Sequence, residues 1–244
     1  MRSESSGAKH RMGAVPKRHV FVTGATGYLG RRVIPELLAR GHAVRALTRP
    51  ESSARLPVAD GCEAVTGDAL DGATFADSIA RIPPCDTLLQ LVGVAHPSPA
   101  KAALFQSVDL ASLRASVQAV EAAGVAKNLH FVYVSVAHPA PAMKAYWQAR
   151  AEGEAILRAS RTPATILRPW YVLGPGHRWP YALIPFYAVL ERIPPTREGA
   201  RRLGLVTLEQ MVGALVAAIE AGPPPAKSPR IVEVPEIRTG SLPT

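Results

Sequence analysis

Cysteines and long apolar runs are scarce in this sequence. Only Cys62 and Cys85 among its 244 residues are cysteines. Two cysteines cannot form a disulfide framework or supply the four ligands of a structural zinc site. No stretch reaches the roughly 20 consecutive apolar residues that span a bilayer, and the N-terminus lacks the apolar core of a signal peptide. The sequence thus predicts a cytoplasmic protein without a membrane partner.

Acidic residues are outnumbered, since 19 Asp and Glu residues face 28 Lys and Arg residues and the formal charge is +9. Five of the basic residues but only one acidic residue lie within the first 18 residues. Residues 1–18 are therefore predicted to form a basic, disordered tail, because polar segments with excess charge rarely bury enough apolar surface to fold. Because so much of the charge lies in a tail, we do not expect nucleic acid as a partner.

The rest of the chain has the composition of a globular protein, in which short apolar runs alternate with amphipathic stretches. This alternation is typical of an α/β protein, a doubly wound parallel sheet covered by helices on both faces. The pattern changes near residue 163, since 13 of the 23 prolines lie at or after Pro163 and loops dominate there. We predict a core domain over residues 19–176 and a small, loop-rich lobe, integrated with the core, over residues 177–244.

The predicted strands are the short apolar runs at residues 19–23, 43–48, 62–66, 86–92, 130–135 and 164–168, with a further short strand at 231–234. The predicted helices lie at residues 28–40, 73–81, 143–160 and 207–221, and another ends near Gly124. Pro35 lies inside the first helix, where a proline removes one backbone hydrogen bond, so we predict a kink there.

A glycine-rich segment follows the first predicted strand, where the chain passes into a helix. It reads Thr23-Gly24-Ala-Thr-Gly27-Tyr-Leu-Gly30. Glycines at such a turn let backbone N–H groups and the helix N-terminus approach a pyrophosphate, whose charge the helix dipole stabilises. Three spaced glycines also fit a plain tight turn, but their place in a repeated strand–helix pattern favours a dinucleotide site and a Rossmann core over residues 19–176.

Charge at the end of the second strand indicates which nucleotide is preferred. That strand ends in Leu47-Thr48-Arg49, and the first acidic residue after it is Glu51. NAD-binding proteins usually place a carboxylate there to accept from the ribose hydroxyl, whereas the 2′-phosphate of NADP calls for a cation. Arg49 suits the phosphate because its planar fork donates two hydrogen bonds, and Arg31 adds a second positive charge. We predict NADP(H) over NAD(H), with a solvated surface position as the alternative for either arginine.

The glycine turn, together with Gly67-Asp68, Ser135, Tyr146, Leu167-Arg168-Pro169 and Gly174-Pro175, resembles the short-chain dehydrogenase/reductase superfamily. The likeness covers about residues 18–176 and is strongest for the extended or atypical members related to sugar-nucleotide epimerases and nitrogen-metabolite-repression regulators. It implies that Asp68 lies by the adenine and that residues 91–94, which depart from the family's Asn/Ala-rich version, pass beside the ribose. The cofactor contacts it implies are Gly24, Thr26, Gly27, Tyr28, Leu29, Gly30, Arg31, Arg49, Asp68, Ala69, Leu91, Val92, Gly93, Arg150, Pro169 and Val172.

The resemblance also implies three catalytic residues. In the family a tyrosine exchanges a proton with the substrate oxygen, a lysine four residues later lowers the tyrosine pKa and holds the ribose, and a serine hydrogen-bonds the same oxygen. Tyr146 and Ser135 match the tyrosine and the serine, but Arg150 stands where the family has lysine. Arginine keeps the charge yet does not readily release a proton, so a proton relay through this position should fail. The alternative is a helix-surface ion pair of Arg150 with Glu154, with Tyr146 as a packing residue.

Other candidate residues fit two interpretations. The aromatic residues after the sixth strand are Trp170, Tyr171, Trp179 and Tyr181. They either line a substrate pocket or form the core of the lobe. The histidines of the proline-rich loops are His96, His138 and His177. No two histidines have the helical spacing of metal ligands, so we expect no metal site.

Four functions follow from these observations. The first is an NADP(H)-binding short-chain-type oxidoreductase acting on a carbonyl or alcohol group of an unidentified small molecule. The second is a dinucleotide-binding sensor or assembly protein without turnover, which Arg150 supports. The third is a sugar-nucleotide epimerase or dehydratase, for which the 68 residues after Gly176 are a small lobe. Nucleic-acid binding by the tail is the fourth and has little support, and the resemblance is compatible with a homodimer.

Overall fold

The structure is a computed structural model that describes residues 16–56, 60–175, 192–224 and 228–243. The strands in these residues are β1 His19–Thr23, β2 Ala43–Thr48, β3 Cys62–Thr66, β4 Thr87–Gln90, β5 His130–Val134, β6 Ala164–Leu167, β7 Tyr171–Leu173, β8 Leu205–Thr207 and β9 Arg230–Val232. Seven of them form one sheet in the order β3-β2-β1-β4-β5-β6-β9, and each neighbouring pair is parallel. Strands β7 and β8 pair with each other, also in parallel.

The helices in the described residues are α1 Gly30–Ala39, α2 Ala76–Ala80, α3 Ala102–Leu104, α4 Ala111–Ala122, α5 Lys144–Ser160, α6 Pro194–Arg202, α7 Leu208–Ala221 and α8 Val234–Thr239. Short 3-10 helices occupy Pro50–Arg55, Gly72–Thr74 and Pro99–Lys101, and a π-helical segment, Phe105–Leu110, joins α3 to α4. Helix α7 starts with a capping box, in which the side chains of Thr207 and Gln210 each accept from the other residue's backbone amide.

This architecture confirms the predicted doubly wound α/β fold, while the boundaries of several elements differ from the prediction. Strand β4 ends at Gln90 because the next residues pass against the glycine turn, where backbone atoms of Leu91 and Val92 lie beside Gly24. Helix α1 begins at Gly30 rather than at residue 28, and it runs on through Pro35. The helix predicted at residues 73–81 is split into a 3-10 helix and α2.

Apolar side chains fill the space on both faces of the sheet. Along β1, Val20 and Val22 belong to one core cluster and Phe21 to the other, as the two-residue period of a strand requires. The first cluster is completed by α1 and α7, and the second by residues of α4 and α5. With both faces covered, the carboxyl ends of the strands are the edge at which loops can contact a ligand.

The described C-terminal residues belong largely to these layers. Helix α7 packs beside α1, and β9 extends the sheet by pairing with β6. Most of the predicted tail, residues 1–15, and residues 176–191, in which the predicted lobe begins, lie outside the described residues. No helix within the four described ranges is both long and apolar enough to cross a bilayer.

Candidate functional site

The three glycines of the turn between β1 and α1 differ in what a side chain would meet. Gly24 has a φ of +72°, and a Cβ there would lie 2.7 Å from the carbonyl carbon of Leu91. A Cβ on Gly30 would collide with the carbonyl oxygens of Gly24 and Ala25. Gly27 is exposed, and among the described atoms a Cβ there would meet the Gly24 oxygen, at 3.1 Å. The fold therefore requires Gly24 and Gly30, whereas Gly27 leaves its backbone open to a ligand.

The N-terminus of α1 supplies the charge of this cradle. The Gly27 amide donates to the Gly24 carbonyl oxygen at 3.0 Å, which closes the turn. Helix α1 then begins with no acidic residue in its first turn, and Arg31 is exposed there. A helix N-terminus carries partial positive charge and N–H groups without partners inside the helix. Where no acidic side chain neutralises this charge, it is available to a phosphate. The residues present thus fit the diphosphate of a dinucleotide.

The other predicted contacts within the turn are half-buried. Thr26 and Tyr28 lie on either side of Gly27, and Leu29 directly precedes the first residue of α1. The Tyr28 hydroxyl lies so close to Gly174 that a Cβ on this glycine would collide with it. Tyr28 therefore packs the glycine turn against the chain just after β7.

The predicted contacts to the adenosine end follow β2 and β3. The Arg49 side chain is 64% exposed, and its Nε lies 3.4 Å from Oε1 of Glu51. Asp68 is exposed, with Ala69 after it, and its Oδ1 accepts from the Leu70 amide at 3.0 Å. Because β1, β2 and β3 are neighbouring parallel strands, their carboxyl ends bring these residues to the edge that holds the glycine turn. This edge offers both a cation and a carboxylate to a nucleotide ribose.

The predicted contacts to the nicotinamide end are divided between two places. Leu91, Val92 and Gly93 follow β4, the strand next to β1, and lie beside the glycine turn. Pro169 is buried after β6, and Val172 in β7 packs against the core. Val172 lies two residues before Gly174, which Tyr28 of the glycine turn contacts, whereas Pro169 follows β6, a strand that β4 and β5 separate from β1.

Arg150 is buried beneath Gly93 and is held by hydrogen bonds to Asp109 and to the last residue of β5. Its Nη2 donates to Oδ1 of Asp109 at 2.5 Å, and its Nη1 donates to the Val134 carbonyl oxygen at 2.9 Å. The Asp109 carboxylate also accepts from the Val94 amide at 3.0 Å. A Cβ on Gly93 would collide with Nη2. Arg150 thus joins α5 to the end of β5 and, through Asp109, to the segment that follows β4, with its charge directly under the Gly93 backbone.

The environment of Arg150 keeps it charged. Burial lowers the pKa of this guanidinium, but the hydroxyls of Tyr146 and Tyr133 and the Asp109 carboxylate raise it more, so the pKa lies above its usual value. A guanidinium in this state is a fixed cation and does not relay protons. Asp109 lies in the π-helical segment Phe105–Leu110, a local conformation that is frequent at functional sites.

Tyr146 lies one helical turn before Arg150 and packs against its guanidinium. The ring centroid is 5.4 Å from Cζ of Arg150 and 5.0 Å from the ring centroid of Phe105. Cζ of Arg150 also lies 5.8 Å from the ring centroid of Tyr133, which is fully buried and whose pKa burial raises to about 12. Tyr146 is only half-buried, so of these two phenols it is the one that a ligand can reach.

Ser135 is buried at the end of β5 and donates to Oε1 of Glu154 at 2.7 Å. The same carboxylate accepts from His138 at 3.1 Å, from Arg158 at 3.0 Å and from two nitrogens of Arg168, at 2.9 and 2.5 Å. Burial raises the pKa of Glu154, but the hydrogen bonds from Arg168 and Ser135 lower it more, so the pKa is below its usual value. Because a hydroxyl has one proton, Ser135 presents only lone pairs to any further group.

The alternative of a surface ion pair between Arg150 and Glu154 is wrong. Arg150 pairs with Asp109, and Glu154 pairs with Arg158 and Arg168. The two side chains are one turn apart on α5, but both are buried, and each is hydrogen-bonded at a different place along the end of β5. Each buried charge therefore finds its partner in the fold rather than on its own helix face.

The remaining candidate residues are only partly described. Trp170 packs against the core and Tyr171 is half-buried in β7. Trp179, Tyr181 and His177 lie outside the described residues. In the part of the chain that the structure covers, no group of three His, Cys, Asp or Glu side chains is placed to hold a metal ion.

Two buried carboxylates of this site were not assigned a role from the sequence. Asp109 stands between Val108 and Leu110 in an apolar helical stretch, and Glu154 was considered only as a surface partner. The apolar neighbours of Asp109 in the sequence indicate that its carboxylate is buried. A buried carboxylate requires a cation beside it, so this context predicts a basic partner elsewhere in the chain.

The sequence model of a family described as NAD(P)H-binding matches residues 24–178, from the first glycine of the turn to beyond β7. The match covers more than half of the chain, so the protein belongs to this NAD(P)H-binding family. Its fold is that of short-chain dehydrogenase/reductase proteins.

Curated relatives include a ceramide reductase of Caulobacter vibrioides, 28% identical over 199 residues, and a 3-diazoavenalumate denitrifying reductase of Streptomyces, 30% identical over 228 residues. These alignments cover 81% and 83% of this chain, but 60% and 72% of the two relatives. The fold is similar to that of the Bordetella bronchiseptica enzyme WbmH in complex with NAD+, with a TM-score of 0.64 and 20% identity over 91% of this chain and 79% of WbmH. Relatives are named as reductases and as epimerases.

Proposed function

We propose that this protein is an NADP(H)-preferring oxidoreductase that acts on a carbonyl or alcohol group of a small molecule. The observation that carries the proposal is the open face of Gly27 beside the N-terminus of α1, where a Cβ on Gly27 would meet no side chain of the described residues and the positive end of the helix dipole can face a ligand. A bound nicotinamide supplies or accepts a hydride, so the chain has to bind the cofactor, orient the substrate and exchange a proton.

Arg49 supports the preference for NADP(H). Its guanidinium is exposed at the end of β2 and has only a 3.4 Å contact with Glu51, which is itself 64% exposed. A 2′-phosphate at this place gains charge-assisted hydrogen bonds from Arg49, whereas a ribose hydroxyl would be bound by Glu51. Arg49 therefore favours NADP(H) and Glu51 favours NAD(H), so substitution of each residue in turn shows which nucleotide it helps to bind.

Calorimetric titration with NADPH and NADH tests this preference. Arg49→Ala should weaken NADPH binding by about ten-fold, about 1.4 kcal/mol, and leave NADH binding unchanged. Glu51→Gln should strengthen NADPH binding, because it removes a negative charge beside the phosphate. Lys127→Ala is the control for net charge, since Lys127 is exposed before β5 at the opposite edge of the sheet. Equal wild-type affinity for the two nucleotides, or equal losses in Arg49→Ala and Lys127→Ala, would contradict the assignment.

Tyr146 is the proposed proton donor or acceptor, and Arg150 is a positioning residue. The guanidinium packs on the Tyr146 ring and is fixed from below by Asp109, so it holds the phenol in place and adds positive charge beside it. Ser135 is proposed to orient the substrate. Because its proton is donated to Glu154, it favours a substrate hydroxyl that donates to it over a carbonyl oxygen that must accept.

Turnover of NADPH with a panel of quinones, aldehydes and ketones tests the chemistry. Tyr146→Phe should lower kcat about 100-fold or more, because general acid–base catalysis contributes that much. Tyr133→Phe is the matched control, since it removes the hydroxyl of a buried phenol that also contacts the Arg150 guanidinium, and it should change kcat by less than about three-fold. Equal effects of the two variants would mean that disturbing Arg150, rather than losing a proton donor, reduces the rate.

A second candidate function is a dinucleotide-binding protein without turnover. The observation in its favour is that Arg150 and Ser135 direct their protons at buried carboxylates, Asp109 and Glu154. NADPH binding without turnover of any panel compound, unchanged by Tyr146→Phe, would favour this function.

A further inference from the structure

His96 has a left-handed backbone conformation that no neighbouring helix explains. Three non-glycine residues in the described part of the chain have positive φ, His96 at 50°, Met143 at 58° and Arg161 at 57°. Met143 and Arg161 border α5, and a left-handed residue commonly ends a helix, as Arg161 does. His96 lies between β4 and the 3-10 helix Pro99–Lys101 and is at the end of neither.

The residue after His96 increases this strain. A left-handed conformation is unfavourable for a residue with a side chain, because the Cβ crowds the following carbonyl oxygen. Pro97 restricts the residue before it to extended backbone with negative φ, and His96 departs from that as well. Strain of this kind persists only where the surroundings enforce it, and it is concentrated at functional sites.

Charged side chains enforce the conformation from both sides of His96. Nζ of Lys101 donates to the carbonyl oxygens of Ala95 at 2.5 Å and His96 at 3.0 Å. On the other side, the Val94 amide donates to the buried carboxylate of Asp109 at 3.0 Å. The loop is fixed at both ends, while the His96 side chain is exposed.

The loop that carries His96 leaves the sheet beside the predicted cofactor site. Gly93, three residues earlier, lies directly above the Arg150 guanidinium, and the first residues after β4 contact the glycine turn. Ligands of doubly wound sheets bind at this carboxyl edge, and rigid loops there supply the groups that contact them. Because the backbone that carries the exposed imidazole is already fixed by hydrogen bonds, less conformational entropy is lost when His96 binds a ligand.

We infer that His96 is a substrate-contacting residue, whose imidazole hydrogen-bonds an oxygen atom of the substrate, and that the strained backbone serves to direct it there. The inference rests on the proposed oxidoreductase function. The inference also assigns a role to Lys101, whose hydrogen bonds to the carbonyl oxygens of Ala95 and His96 stabilise a backbone conformation that is intrinsically unfavourable.

The test compares His96→Gly and His96→Asn with Arg161→Gly. Glycine relieves the backbone strain at both positions, so neither glycine variant should have a lower Tm than wild type. With NADPH and the panel of quinones, aldehydes and ketones, His96→Gly should lower kcat/KM about ten-fold or more, mainly through KM, because one hydrogen bond to the substrate is lost. His96→Asn should keep most of kcat/KM, since asparagine tolerates the left-handed conformation and can hydrogen-bond. Arg161→Gly should keep all of it.

The outcomes separate this inference from the proposed function. If His96→Gly keeps the wild-type kcat/KM, the role of His96 is wrong but the proposed oxidoreductase function is unaffected. The same conclusion follows if kcat/KM falls together with the Tm or with the affinity for NADPH, because the change is then not specific to the substrate. A wild type that binds no NADPH overturns the proposed function itself. If NADPH binds without turnover, binding of a panel compound should still raise the Tm of the wild-type protein with NADPH. It should not raise the Tm of His96→Gly with NADPH, and an equal rise in both proteins, or in neither, overturns the inference.

Discussion

The guanidinium of Arg150 lies 2.5 Å from the carboxylate of Asp109, and the two side chains are only 8% and 1% exposed. They come from different elements, α5 and the π-helical segment between α3 and α4. Through hydrogen bonds to Val94 and Val134, the pair also holds the segment after β4 against the end of β5. One buried ion pair therefore organises the carboxyl edge of the sheet beneath the predicted ribose site.

Loss of the Asp109 charge should be strongly destabilising. Asp109→Asn leaves Arg150 buried without a counter-ion, and breaking one side of a buried pair costs about 3–5 kcal/mol of the free energy of unfolding. The control is Glu36→Gln, which breaks the exposed pair of Glu36 and Arg40, with side chains 45% and 47% exposed. That change should cost less than about 1 kcal/mol. Urea unfolding measures both, and a similar cost in the two variants would contradict the structural role of the Asp109–Arg150 pair.

Glu154 should make stability depend on pH in the acid range. Its pKa is below the usual value because the hydrogen bonds from Arg168 and Ser135 outweigh the effect of burial. As pH falls through the unfolded-state pKa of about 4.3, the unfolded chain takes up a proton before the folded chain does, so stability present at neutral pH is lost. Glu154→Gln should therefore be less stable than wild type at pH 7, and the difference should shrink towards pH 4.

Urea unfolding at several pH values checks the Glu154 prediction. Glu121→Gln, at an exposed position after the middle of α4, is the control and should change the free energy of unfolding by less than about 0.5 kcal/mol at each pH. A gap between wild type and Glu154→Gln that stays constant from pH 7 to pH 4 would show that the Glu154 carboxylate is not selectively stabilised in the folded state.

The sequence predicted those parts of the molecule that local chemistry determines. The run Val20-Phe21-Val22 is apolar on both faces, so it predicts a strand buried on both sides, and the glycine turn after it predicts a phosphate cradle. Strands β7 and β8 were not predicted, because each has three residues and lies in a proline-rich region without a visible period.

The ion pairs of the site depend on packing rather than on local pattern. Asp109 and Arg150 are 41 residues apart, and their contact exists only once α5 and the π-helical segment pack together. The spacing of Arg150 and Glu154 predicted a pair on the helix surface, and it failed because both side chains are directed into the fold. Helix spacing identifies which residues share a face, but burial decides which partner each charge takes.

His130 should lower stability as pH falls below neutral. It is buried at the start of β5 with Nε2 2.8 Å from Oγ1 of Thr165, and burial lowers its pKa to about 3. In the unfolded chain the pKa of this histidine is about 6.5, so between pH 6.5 and pH 3 only the unfolded chain binds the proton. Proton uptake therefore lowers the free energy of unfolding, by about 2 kcal/mol at pH 5. Between pH 7.5 and pH 5, the free energy of unfolding measured in urea should fall by about 2 kcal/mol less in His130→Gln than in the wild type. Equal losses in the two proteins would show that His130 takes up a proton in the folded state.

The glycine turn should separate cofactor binding from stability. Gly27→Ala places a methyl group on the open face, 3.1 Å from the Gly24 oxygen, so it should weaken NADPH binding by about ten-fold or more while costing less than about 1 kcal/mol of stability. Gly30→Ala should show the opposite bias, because its methyl group collides with the carbonyl oxygens of Gly24 and Ala25 and destabilises the fold. Gly213→Ala in α7, where a Cβ meets no described atom within 4 Å, should leave NADPH binding unchanged and gain about 0.5–1 kcal/mol of stability. If calorimetry finds wild-type NADPH affinity in Gly27→Ala, the diphosphate does not lie against this backbone, and the assignment of the turn to a nicotinamide dinucleotide is wrong.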